Sequence, residues 1–200
     1  PIFAQARPNH GHRSLAALEQ RGLVFGLITQ NVDRLHQRAG QQQVLDLHGR
    51  LDQVRCIECD YQSARSVVQD WLQQKNPWIS TEHVIPAPDG DADIELDFNR
   101  VKVPECPCCG GILKPDVVFF GDAVPKTDVA QGYRWVENAQ AVLVVGTSLM
   151  VYSSFRFVRK AYELGLPVMA INQGKTRGDE LFAVKAEINC VQGLAALADC

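Results

Sequence analysis

The chain has 200 residues, 46% hydrophobic and 22% charged, with a formal net charge of −3. Such a composition supports one sizeable core with a small satellite module. The weak negative charge offers no broad basic face to a phosphate backbone, so no direct nucleic-acid partner is expected. No run of 18 apolar residues occurs, so no membrane span is expected, and no cationic-then-apolar leader is present.

The chain opens on Pro1-Ile2 without a Met, which reads as a piece of a longer protein. Its seven cysteines are Cys56, Cys59, Cys106, Cys108, Cys109, Cys190 and Cys200. An odd number without a leader argues against a disulfide framework and for a reducing compartment. A cytoplasmic location is expected, or a mitochondrial one in a eukaryote.

In chain order, residues 11–21 read as a helix, with Leu15 and Leu18 on one face and Gly22 as its stop. Residues 23–29 are a short apolar run suited to a buried strand. A short helix over 32–39 ends at Gly40, and a strand over 44–47 leads into His48-Gly49. Residues 51–115 differ in character. They hold two cysteine pairs, a helix over 64–74 and a loop over 76–103. That loop contains Pro77, Pro86, Pro88, Gly90 and acids at 89, 91, 93, 95 and 97, and reads as a polar, mobile insertion. Strands over 116–120, 141–145 and 167–171 then alternate with helices over 128–138 and 154–164. The chain thus divides into 1–50, 51–115 and 116–200. Apolar strands alternating with helices imply an α/β fold, a parallel sheet covered on both faces. Ligands bind such sheets beyond the carboxyl ends of the strands. Polar triplets fall there: Thr29-Gln30-Asn31, Gly146-Thr147-Ser148 and Asn172-Gln173-Gly174.

Cys56-x2-Cys59 and Cys106-x2-Cys109 are two knuckles able to place four thiolates around one Zn²⁺. Cys108 offers another register, but only Cys106 with Cys109 keeps the two-residue spacing. Two coincidentally buried cysteine pairs are the alternative. The pairs stand further apart than usual, which costs little because loop entropy grows slowly with length. Four protein ligands leave no open position, so the metal is expected to be structural.

Gln30 and Asn31 each donate and accept hydrogen bonds and suit a ribose or carboxamide; a turn with side-chain capping of the next helix is the alternative. His48, at a strand end beside Gly49, can serve as a general base near neutral pH or as a hydrogen-bonded structural histidine. Asp46, two residues earlier, is a candidate to orient its ring. Gly146-Thr147-Ser148 permits close approach of a phosphate.

Together these pieces resemble the sirtuin family. The matching stretches are Pro8-Asn9 with His12 and Leu15, Thr29-Gln30-Asn31-Val32-Asp33 with Leu35-His36 and Ala39-Gly40, and Leu47-His48-Gly49. Both cysteine pairs, Lys114-Pro115-Asp116-Val117-Val118-Phe119-Phe120-Gly121-Asp122, Gly146-Thr147-Ser148-Leu149-Met150-Val151 and Ile171-Asn172 complete the match. The long insertion and the loop from Asn172 to Arg177 look most like the class II branch, mitochondrial and bacterial lipoamidase-like.

The resemblance implies a Rossmann-like sheet plus a small zinc module, and NAD-dependent removal of acyl groups from protein lysines. Nicotinamide and O-acyl-ADP-ribose are the implied products, with His48 as base on the ribose hydroxyls. Gln30, Asn31, Val32 and Asp33 would surround the nicotinamide and its ribose. Gly146, Thr147 and Ser148 would hold the phosphate and adenosine side. Asn172, Gln173 and Gly174 would reach the adenine ribose, and Cys190 the adenine through its backbone. Val117, Val118 and Phe119 would line the acyl-lysine tunnel, and backbone near Gly121 would pair with substrate peptide.

The family's glycine-rich start, of the Gly-Ala-Gly-x-Ser type, does not occur in this sequence. The N-terminal strand is therefore expected to be missing and NAD to bind poorly. Transfer of ADP-ribose to protein by the same fold, and a non-catalytic zinc-ribbon interaction module, are the competing readings. Acyl preference and oligomeric state are not legible in the sequence.

Overall fold

A computed structural model describes residues 6–79 and 97–200. The centre of the expected polar insertion, residues 80–96, lies outside the described residues. The chain divides into two compact units, one formed by Gly49–Val117, the other by Arg7–His48 and Val118–Cys200.

The larger unit is the Rossmann-like part. Helix α1 (His10–Gln20) starts at Asn9, whose side chain accepts from the His12 amide while the His12 ring returns to the Asn9 backbone. It ends as the amides of Gly22 and Leu23 fold back onto Glu19 and Leu18 carbonyls, at 2.8 and 2.9 Å. Those reversed amides, with the left-handed Gly22, explain why the expected strand over 23–29 shrinks to β1 (Leu27–Thr29). The expected helix over 32–39 shrinks to α2 (Leu35–Arg38) because Arg34 is left-handed and Asp33 caps the Leu35 amide. Strand β2 (Val44–Asp46) pairs parallel with β1.

Helix α4 (Lys126–Glu137), β6 (Val142–Val145), α5 (Tyr152–Glu163), β7 (Val168–Ile171), β8 (Val184–Ala186) and α6 (Cys190–Asp199) complete this unit. Strands β6, β7 and β8 form a parallel sheet in that order. Among the described residues, β1 pairs only with β2, and β6 only with β7. The side chains alternate between two cores, as a strand period of two requires. Val142, Val144, Val168 and Ala170 face a cluster with Val136 of α4 and Phe157, Val158 and Ala161 of α5. Leu143, Val145 and Ile171 face Leu15 of α1 and Leu194 of α6. Helices therefore cover both faces. Gly132 lets α4 and α5 close, since a β-carbon there would sit 2.5 Å from the Phe157 ring.

The smaller unit is antiparallel. Strand β3 (Gly49–Cys56) pairs with β4 (Gln62–Ala64) and with β5 (Leu113–Val117), and α3 (Arg65–Lys75) packs on β3. The strand expected over 116–120 is thus displaced to Leu113–Val117 and joins this sheet, not the parallel one. Its extension stops at a turn in which the Asp122 amide bonds the Phe119 carbonyl, with Gly121 left-handed. The ladder slips between Arg50 and Val54, where Pro115 has no amide to donate. Buried Asn76 joins the flanks of the insertion: it donates to the Leu72 and Lys102 carbonyls and accepts from the Lys102 amide at 2.7 Å.

Leu47, fully buried in the larger unit's core, sets the position of the residue that follows it. Leu47→Ala is expected to lower unfolding free energy by about 2–5 kcal/mol, the usual cost of such a truncation plus its cavity. The check is a lower urea midpoint at unchanged slope.

Candidate functional site

In the smaller unit, Cys56, Cys59, Cys106 and Cys109 bring their sulfurs within 4.8 Å of one another. Cys56 and Cys109 lie 3.6 Å apart, as do Cys59 and Cys106. A tetrahedral Zn²⁺ with bonds near 2.3 Å sets neighbouring sulfurs at about 3.8 Å, so the cluster fits. The knuckle backbone supports it. The Glu58 amide points at the Cys56 sulfur and the Gly111 amide at the Cys109 sulfur, each at 3.4 Å. Cys108 stands exposed, outside the group. With four protein donors the site is closed, and it suits a structural ion.

His48 lies in the larger unit, one residue beyond the buried Leu47. Its carbonyl accepts the Val118 amide at 2.9 Å, and its Nε2 meets the Ser153 hydroxyl at 2.7 Å. Burial lowers its pKa below the ordinary histidine value, opposed by a hydrogen bond to the Gln30 backbone. The ring is therefore neutral at pH 7 and can accept a proton. Asp46 does not orient it: that carboxylate pairs with Arg34 and accepts from Gln37 Nε2.

The polar strand ends of this unit are tied together. Gln30 Nε2 donates to Thr147 Oγ1 at 2.9 Å, joining the segments after β1 and β6. Asn31 is exposed, its amide donating to Thr29 Oγ1; Val32 and Asp33 are half-buried. Gly146 is left-handed, and a β-carbon there would lie 3.1 Å from the Cys190 sulfur. Its amide bonds the Ile171 carbonyl, toward which Cys190 Sγ also points. The Ser148 carbonyl accepts the Arg177 amide at 2.9 Å, joining the segments after β6 and β7. Asn172 is buried with its Nδ2 on the Gln173 carbonyl. Lys185 of β8 holds the Gly174 carbonyl at 2.7 Å while pairing with Asp179. The expected substrate residues fall in both units: Val117 ends β5 in the smaller one, whereas Val118, exposed Phe119 and Gly121 belong to the larger.

Residues 1–153 match the family model for the Sir2 family. The chain belongs to the Sir2 family. It is 56% identical over 194 residues to an NAD-dependent protein deacetylase of Bordetella bronchiseptica, covering 96% of this chain and 71% of that protein. It is 54% identical over 198 residues to one from Xanthomonas campestris, covering 98% and 68%. A solved Sir2 with a p53 peptide and NAD+ aligns at TM-score 0.79 and 28% identity, over 99% of this chain and 72% of that one. A Sir2Tm bound to a propionylated peptide aligns equally well, over 99% and 73%.

In this Sir2-family chain, sequence reasoning missed Ser153, Arg177 and Lys185. Each holds a site segment through a contact made only in the fold.

Cys56→Ser and Cys109→Ala are each expected to abolish stoichiometric zinc by metal analysis and to unfold the smaller unit, since binding energy here is folding energy. Full metal retention in both variants contradicts the four-thiolate site.

Proposed function

We propose that this chain carries out NAD-dependent removal of acyl groups from protein lysines, releasing nicotinamide and an O-acyl-ADP-ribose. The observation that carries this reading is the half-buried His48 imidazole, its Nε2 at the Ser153 hydroxyl, in the same compact unit as the polar strand ends joined by Gln30 and Thr147, in a chain of the Sir2 family. Its relatives are named NAD-dependent protein deacetylases, and related solved structures hold NAD+ or acylated peptides.

When bound, NAD supplies an activated ribose carbon and carries the acyl group away. Gln30, Asn31, Val32 and Asp33 hold the nicotinamide ribose; amide and carboxylate groups suit hydroxyl and carboxamide partners. Gly146, Thr147 and Ser148 take the phosphate side, where the left-handed glycine admits close approach. Asn172, Gln173 and Gly174 bind the far ribose, with Cys190 behind them. His48 takes a ribose hydroxyl proton at Nε2. Val118 and Phe119 line the path of the acyl-lysine, and backbone at Gly121 pairs with the peptide as an added strand.

The class II assignment rests on the long insertion and the loop from Asn172 to Arg177. An intracellular location is supported by the clustering of four cysteine sulfurs in a metal-binding arrangement.

The test is incubation with NAD and acylated peptides, followed by mass spectrometry. O-acyl-ADP-ribose is expected, and His48→Ala should lose at least ~100-fold in turnover, the low end for a general base, with folding unchanged. A mass gain on protein in place of that product identifies ADP-ribosyl transfer, and a fully active His48→Ala enzyme rejects the base.

A further inference from the structure

Ser153 is the second residue of α5 and sits 105 positions from His48, yet its hydroxyl lies 2.7 Å from His48 Nε2. It has no evident duty in its own helix. The helix starts at Val151 with no side-chain cap, and the neighbouring Ser154 hydroxyl supplies the local bond, to the Val151 carbonyl at 3.0 Å. The turn that carries Ser153 is well held. Arg156, Arg159 and Arg177 all lie over the Tyr152 ring, at 5.2, 5.8 and 5.7 Å. Arg177 also donates to the Met150 carbonyl at 3.1 Å. Ser153 further lines a cavity of about 390 Å³ together with Asp122, Val124, Lys126, Tyr133 and Arg156.

The direction of the bond follows from the base role proposed for His48. A neutral imidazole has one N–H. A ring that takes a substrate proton at Nε2 carries its own N–H on Nδ1. Nε2 is then the lone-pair nitrogen, and the Ser153 hydroxyl must be the donor.

We propose that Ser153 is the positioning residue of His48, donating its hydroxyl to Nε2 and so fixing the ring in the one tautomer able to take a substrate proton. This rests on the deacylase reading, in which His48 is the base. No covalent bond to Ser153 forms or breaks. The hydroxyl holds Nε2 as an acceptor until a ribose hydroxyl takes its place, and the ribose proton then passes to Nε2.

The test is ¹⁵N NMR of the imidazole in the wild-type chain, S153A and S153T, with the pH profile of kcat/KM in parallel. Wild type is expected to show Nε2 unprotonated. S153A should show mixed tautomers and an imidazole pKa higher by about half a unit, a roughly threefold change in proton binding, because the bond to the neutral form is lost. The acid limb of kcat/KM should move by the same amount with little change in KM for NAD, and S153T should restore both. A wild-type ring protonated at Nε2, or an S153A ring with unchanged tautomer and pKa, overturns the proposal. H48A, assayed alongside, separates the two readings. An active H48A overturns the base itself, whereas an inactive H48A with an unshifted S153A overturns only the role of Ser153.

Discussion

Leu47 and the backbone on either side of it leave His48 little freedom, and the chemistry proposed for the chain depends on that restriction. The Leu47 side chain is fully enclosed among α4, α5 and β6 residues, and its amide continues the parallel ladder by bonding the Thr29 carbonyl at 2.9 Å. The His48 carbonyl is taken by Val118. Gly49, which opens the smaller unit, has φ of 81° and lies against the Asp116 carbonyl where any β-carbon would collide. A catalytic ring needs its orientation set before substrate arrives. Here Leu47 and the bond from Val118 set it through the backbone, and Ser153 meets the ring from the side.

The strand-end segments obey the same logic at larger scale. Each polar triplet follows a strand whose side chains are locked into one of two cores, so each triplet leaves the sheet in a fixed direction. Bonds then tie each triplet to another segment of the unit: Gln30 to Thr147, Ser148 to Arg177, Gly174 to Lys185. Cofactor contacts placed on such linked loops hold their geometry without relying on any single loop's stiffness. The metal cluster serves the smaller unit in an analogous way, since short β4 and the knuckles offer little apolar surface of their own.

Much of this was legible in the residues. Strands β6 and β7 announce themselves as continuous apolar runs, and the x2 spacing of both cysteine pairs pointed to four thiolates. The polar triplets stood out because strand ends of that kind make poor core. What escaped was set by tertiary contacts. Strand β3 mixes Arg, Asp and Gln with its apolar residues because one face is solvated, and this masked its period. Strand β8 has only three residues. Helix α6 was hidden behind Asn189, whose side chain caps it by accepting from Val191 and Gln192. Strand β5 was misplaced by a few residues because the apolar run 117–120 continues past the turn that ends it. Asp46 was drawn to Arg34 and Gln37, and its spacing from His48 gave no sign of either. Ser153 reaches His48 through folding alone, and nothing near it in sequence links the two.

The central claim is that residues 30–33, His48, residues 146–148 and residues 172–174 make up one NAD site. The most direct measurement is titration of NAD onto the ¹⁵N-labelled chain, followed residue by residue by NMR. The account predicts that saturable shifts concentrate in those four segments. Shifts that spare them, or that gather instead around Cys56, Cys59, Cys106 and Cys109, would contradict it.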